Sequence, residues 1–165
     1  MFDECELEVY QSRESWLDGR LTGIGSSDAS TLLGLGYADS SEYALWAEKA
    51  KGYDRKFDKA KMLSLDKGKL CERYLVELMA LEHDTEVLLD PDHAMRRNKL
   101  LPYLTASLDG FLADGTIIEC KAVSYWAAKE WDFKSGVAPL KFAVQAMHQM
   151  LVTGSRKAKI VCIFG

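Results

Sequence analysis

The stretch TASLDGFLADGTIIECKAV, residues 105–123, sets Asp109, Glu119 and Lys121 around a turn inside a run otherwise built for burial. A charged group in an apolar strand is costly unless it is paired or bound to a metal, so these three residues need a partner. Asp114-Gly115, between GFLA and TIIECK, predicts a two-residue type I′ hairpin, whose central residues take positive φ. Adjacent strands then carry the two carboxylates. By the alternation of a strand, Glu119 and Lys121 share one face while Ile118 and Cys120 share the other. In the plain hairpin register Asp109 sits opposite Cys120 and faces away from Glu119. A shared site therefore requires a bulge or a strand end near Asp109-Gly110, which the glycine permits.

If the carboxylates converge, they repel, and a hard divalent cation with oxygen ligands removes that cost. Mg²⁺ is the natural choice, with Mn²⁺ the alternative. An ammonium beside such a cation orients or helps deprotonate an attacking water, which describes phosphodiester hydrolysis. The competing reading is a surface hairpin whose Glu119 and Lys121 form an exposed pair worth ~0–1 kcal/mol.

Working outward, Leu63 to His83 reads as a long helix. Glu72 lies on its apolar stripe with Leu75, Val76 and Met79, which directs the carboxylate inward, toward a second cation. Pairing with Lys69 or Arg73 at the stripe's edge is the other reading. Residues 4–18 read as a helix, GIGSSDAS as a turn opening a short helix to about Leu33, and Ser40 or Ser41 as the cap of a helix over 42–51. TEVLL, AMRRN, YLTASL, GFLA, TIIECKA and KIVCIF read as strands, interrupted by helices over about 124–133 and 138–153. The second of these has apolar positions 140, 144, 147 and 151 at helical spacing, with Gln145, His148 and Gln149 as a polar patch beside them. That patch either holds a water or phosphate or is a solvated face. The order gives an α/β fold with a central mixed β-sheet flanked by helices, in one domain over 1–165, helical to about 84 and sheet-based from about 85.

With 165 residues, 48% of them hydrophobic, the chain suits one compact core, and no stretch is apolar enough for a membrane span. The start lacks the features of a secretory signal, which places the protein inside a cell. The four cysteines show no C-x-x-C pair, so neither a zinc site nor an iron-sulfur cluster is expected. A net charge of -4 argues against a protein that coats DNA by charge alone. Residues 49–61, KAKGYDRKFDKAK, hold six basic residues against two acidic, and Arg96, Arg97 and Lys99 form a second basic cluster. Each is either a DNA-backbone contact or a solvated surface. Trp126 and Trp131 are expected to pack on the sheet.

The ordered set R-x-x-GIGSSDAS, G-x-x-x-E on a helix, TASLDG, IIECKAV and QAMHQMLVTG resembles the YqaJ-type viral recombinase family, relatives of bacteriophage lambda exonuclease within the PD-(D/E)XK, restriction-endonuclease-like superfamily. The resemblance covers residues 20 to about 160. It implies metal binding by Asp109, Glu119, Glu72 and the backbone carbonyl of Cys120, with Lys121 acting on the water and Gln145 as the glutamine of the late helix. Arg20, Ser26 or Ser27, and Ser107 correspond to the group that grips a 5′-phosphate, a task suited to a guanidinium fork and hydroxyl donors. Read without the resemblance, GIGSSDAS is an ordinary N-capped turn.

The activity the resemblance implies is a Mg²⁺-dependent 5′-to-3′ exonuclease acting on linear double-stranded DNA in phage recombination. Two ions, a single-strand annealing protein, a ring of three subunits and the cytoplasm of a bacterial host are implied with it. Two departures stand out: Phe142 where the family often has tyrosine, and an end at KIVCIFG where relatives continue, which leaves the ring surface open. The rival readings are a structure-specific endonuclease or nickase, and a non-cleaving module that binds DNA ends or protein.

Overall fold

The computed structural model describes residues 2–36, 40–52, 58–132 and 134–165. Tyr53 and Phe57, with Arg55 and Lys56 of the basic run between them, lie outside the described residues. The chain opens with strand β1 (Cys5–Val9) and helices α1 (Arg13–Leu21), α2 (Ser26–Leu32), α3 (Glu42–Lys51) and α4 (Lys59–Glu82). Strands β2 (Val87–Leu88), β3 (Ala94–Asn98), β4 (Thr105–Ala106), β5 (Gly110–Leu112) and β6 (Ile117–Val123) follow, then helix α5 (Leu140–Thr153) and strand β7 (Ala158–Phe164).

The expected α/β class holds, but the strands divide into two sheets. One has the order β1-β3-β4 and is antiparallel; the other has the order β2-β5-β6-β7, with β6 and β7 parallel. Helix α4 covers one face of the second sheet, burying Leu75, Val76 and Met79 against Ile118 and Cys120. Helix α5 contacts β3 and β4 of the first sheet and β6 and β7 of the second, so it spans both.

Three expectations are corrected. Residues 4–18 are not one helix, so the first part of the chain is not wholly helical: Cys5–Val9 pairs with β3, and a capping box of Ser12 and Ser15 starts α1 only at Arg13. In β1 only Cys5 is buried, so the strand shows no strict period of two. The segment near 124–133 holds a single 3-10 turn, Ala127–Glu130. In α5 the expected apolar stripe faces outward, with Leu140, Met147 and Leu151 each more than half exposed, while the buried face carries Phe142, Ala146, His148, Gln149, Val152 and Thr153.

The hairpin differs in the way that matters most. Gly115 N donates to Leu112 O at 2.9 Å and Leu112 N to Thr116 O at 2.9 Å, closing a three-residue loop. Only Gly115 takes positive φ, at 81°, while Asp114 does not. This is a turn followed by a left-handed bulge residue, not a type I′ turn. It pairs Phe111 with Ile117 and Gly110 with Ile118, one residue away from the plain register. Extending that ladder by one residue sets Asp109 beside Glu119. Asp114 Oδ1 accepts from Thr116 N at 2.9 Å and Ser155 Oγ donates to Gly115 O at 2.7 Å, which hold the loop in this form. An L-residue at Gly115 must adopt the left-handed region, so Gly115→Ala is expected to cost about 1–2 kcal/mol. The check is a lower urea midpoint with an unchanged slope.

Candidate active site

Glu119 projects from β6 away from the α4 core and is only 1% exposed. One carboxylate oxygen, Oε1, accepts from Lys121 Nζ, and the other, Oε2, accepts from Gln149 Nε2 at 2.5 Å. The two donors satisfy a charge that burial alone would make very costly. The Lys121 ammonium also lies 5.3 Å from the Phe142 ring centroid. Next to Glu119, Asp109 Oδ2 accepts from the Cys120 backbone N–H at 2.7 Å.

Burial, followed by the charges of Glu119 and Glu72, holds the Asp109 carboxyl well above the usual aspartate range, against the Cys120 amide and Lys121. Burial likewise raises Glu72, with Lys121 opposing and Glu119 adding to the rise. Burial and the Asp109 charge push the Cys120 thiol up to about 12, so it is neutral and inert. Helix α4 thus brings Glu72 into electrostatic range of the hairpin, and three carboxylates share Lys121 as a nearby cation. Among the described residues, no three acidic, cysteine or histidine groups form an assembled metal cage. The donor set itself, of carboxylate oxygens and a strand carbonyl, suits a hard divalent cation, and the raised pKa values of Asp109 and Glu72 mark a crowding of negative charge that such a cation offsets.

A cavity of about 150 Å³ is lined by Arg20, Ser26, Ser27, Ser107 and Gln145, with Trp16 and Thr105 among the others. The Arg20 guanidinium lies 5.0 Å from the Trp16 ring centroid and donates to Ser27 Oγ at 3.4 Å. Lys49 on α3 ties this wall together, donating to Arg20 O at 2.7 Å and pairing with Asp28 Oδ2 at 2.8 Å. Asp28 in turn accepts from Gly25 N at 2.8 Å. Ser26 Oγ is buried and has no hydrogen-bond partner among the described residues, as is true of Gln149 Oε1. A buried hydroxyl left in that state at the wall of a cavity suits a ligand with acceptor oxygens.

The candidate residues therefore fall into two groups. Asp109, Glu119, Lys121 and Glu72 surround one centre, while Arg20, Ser26, Ser27, Ser107 and Gln145 line the other. The glutamine on Glu119 is Gln149, one turn beyond Gln145. It belongs to the same polar patch in sequence, and the missed signal was that 142, 146, 149 and 153 also follow helical spacing. Lys49 gave no signal beyond its place in a basic run.

Other expectations resolve differently. Arg96 forms a buried pair with Asp90, its Nε donating to Oδ2 at 2.8 Å, and Arg97 donates to Glu8 at 2.6 Å. Both arginines are engaged within the fold. Trp131 stacks on Phe142 of α5, ring centroids 5.5 Å apart, and meets Phe164 of β7 edge-on at 5.8 Å, but Trp126 is 78% exposed and stands beside Tyr125. Among the described residues no helix is long and apolar enough to cross a membrane.

The model of the YqaJ-like viral recombinase domain matches residues 15–156, most of the chain. The protein belongs to that family. The chain is 28% identical over 157 residues to the uncharacterized protein YqaJ of Bacillus subtilis (strain 168), an alignment covering 93% of this chain and 47% of that protein. It thus spans about half the length of this curated relative. Its fold is similar to that of an alkaline exonuclease from Laribacter hongkongensis, with a TM-score of 0.71 at 20% identity over 92% of this chain and 74% of the other. The same exonuclease in complex with dAMP matches with a TM-score of 0.71 at 20% identity, over 90% of this chain and 73% of the other.

Asp109 binds its proton more tightly folded than unfolded, so stability is lost as pH rises from the ordinary aspartate range toward the raised folded value. Asp109→Asn keeps an acceptor for the Cys120 amide without the charge. In chelator above neutral pH this variant is expected to melt at least about 2 °C higher than wild type, the gap closing as pH falls toward 4. Thermal unfolding across pH checks this.

Proposed function

We propose that the protein is a metal-dependent deoxyribonuclease, a 5′-to-3′ exonuclease acting on linear double-stranded DNA in phage-type recombination. The observation that carries this reading is the pairing of Asp109 with Glu119 beside Lys121, across from a separate cavity suited to a terminal phosphate. Asp109, Glu119, Glu72 and the Cys120 carbonyl are the residues that would hold Mg²⁺ or Mn²⁺, as one or two ions. Such an ion supplies charge stabilisation at the phosphoryl group and lowers the pKa of water.

The chain's own residues do the rest. Lys121 orients the attacking water and assists its deprotonation, while Gln149 keeps Glu119 from rotating. The water oxygen bonds to phosphorus as the bond to the leaving oxygen breaks, and that oxygen takes up a proton. Arg20, Ser26, Ser27 and Ser107 hold the 5′-phosphate of the end by charge-assisted hydrogen bonds, and Gln145 reaches the same cavity. End recognition of this kind favours an exonuclease over an endonuclease, and the name of the structurally similar alkaline exonuclease supports the same class. The proposal extends to an annealing protein as partner, a three-subunit ring and a bacterial cytoplasmic setting, for which family membership is the support.

The test compares wild type with Lys121→Ala on linear duplex bearing a 5′-phosphate and on closed circular DNA, with Mg²⁺ and with chelator. Loss of only the linear DNA, dependent on Mg²⁺ and slowed on the order of 10²-fold or more by the substitution, is expected. Cleavage of the circle moves the assignment to an endonuclease, and no cleavage of either favours a binding module. Independently of activity, Mg²⁺ is expected to raise the melting temperature of wild type and to raise that of Asp109→Asn less.

A further inference from the structure

His148 lies on α5 between the two groups of site residues, and neither of them uses it. Its side chain is buried, and Nε2 stands 3.1 Å from the Ile24 carbonyl oxygen and 3.0 Å from that of Thr105. Both partners are acceptors only, so Nε2 carries the proton and donates to both. Burial pushes the imidazole below the ordinary histidine range, so it is neutral at physiological pH with this tautomer fixed.

The two carbonyls belong to two neighbouring segments that supply the cavity's walls. Ile24 leads through Gly25 into Ser26 and Ser27, and Thr105 leads through Ala106 into Ser107. Between these walls the backbone makes only a short bridge, Ile24 N to Tyr103 O at 2.7 Å and Thr105 N to Ile24 O at 2.9 Å. His148 joins the two segments again through its bonds to Ile24 O and Thr105 O. On the same helix, Gln145 lines the cavity and Gln149 holds Glu119. About one turn of α5 therefore ties the spacing of the cavity walls to the position of the carboxylate centre.

We propose that His148 is a positioning residue that sets the width of the end-binding cavity and its offset from Glu119, and so determines preference for a 5′-phosphorylated end. This rests on the proposed function above. A packing role alone predicts that any neutral polar side chain of similar size will serve.

The test uses two neutral amides that differ in where the donor sits. In His148→Gln the amide nitrogen takes the place of Nε2, whereas in His148→Asn it falls one bond short, near Nδ1. Steady-state kcat and KM are measured with Mg²⁺ on linear duplex ending in 5′-phosphate or 5′-hydroxyl. For the Asn variant kcat/KM on the phosphorylated end is expected to fall on the order of tenfold while that on the 5′-hydroxyl end changes little, so that the preference for phosphate shrinks to match. The Gln variant is expected to keep the preference. Equal behaviour of the two variants, at any activity, overturns the inference, as does selective unfolding of the Asn variant by circular dichroism. Ser26→Ala separates the two readings. If it abolishes the preference while His148→Asn does not, the cavity is an end site and the role of His148 is refuted. If wild type shows no preference, the end-site reading falls and this inference with it.

Discussion

The one-residue offset in the β5–β6 ladder is the constraint on which the carboxylate centre depends. Side chains on a strand alternate, so a shift of one residue moves every group on it to the other face. With a two-residue loop, Asp109 would lie on the side of Ile118 and Cys120, where α4 packs Leu75, Val76 and Met79. A lone carboxylate there has no donor set to compensate its burial. The left-handed Gly115, together with the Asp114 and Ser155 hydrogen bonds that hold its loop, places the charge on the face shared with Glu119 and Lys121 instead. A turn at one end of the hairpin thus fixes the electrostatics at the other.

Helix α5 gives up apolar burial to meet the demands of that centre. Its inward face spends His148 on two backbone carbonyls, Gln149 on Glu119 and Thr153 on the Gln149 carbonyl at 2.8 Å. Each is a polar group whose burial is tolerated because it has a partner. The apolar alternative was available in the same helix, since Leu140, Met147 and Leu151 would bury area at ~25 cal/mol per Å² if the helix were rotated. Rotation would remove the donor from Glu119 and both bonds to the cavity walls. Satisfying one buried carboxylate and two carbonyls outweighs a few more buried methylenes.

This conflict explains where the sequence was readable and where it was not. The E-x-K alternation, the long amphipathic α4 and the strands that form β6 and β7 were legible in the sequence, because there pattern and burial agree. Helix α5 was recognisable as a helix, but both 140, 144, 147, 151 and 142, 146, 149, 153 fit its period, and composition favoured the wrong one. The Asp-Gly step marked a turn without fixing its length, since one left-handed glycine serves a two- or three-residue loop. In β1, four of five residues have access to solvent, so the period of two that identifies a strand was missing. Site residues held by long-range geometry, Gln149 and Lys49 above all, needed the fold to be found.

The same geometry sets a linkage between acid chemistry and any cation the centre binds. Three carboxylates face Lys121, and burial together with mutual repulsion raises Asp109 and Glu72, so part of the cluster keeps its proton in the cation-free state. Under the proposed function, carboxylates must lose those protons to act as ligands, and cation binding then releases them. Affinity consequently increases with pH until the cluster is fully ionised, with no need for a further titrating group. Cys120 takes no part in that linkage despite lying between Glu119 and Lys121, because its thiol points into the α4 core and stays protonated. Its contribution to the site comes from the backbone, an amide that donates to Asp109 and, under the proposed function, a carbonyl for the cation. That division of labour is why a residue with a reactive side chain can stand between the acid and the lysine without adding chemistry of its own.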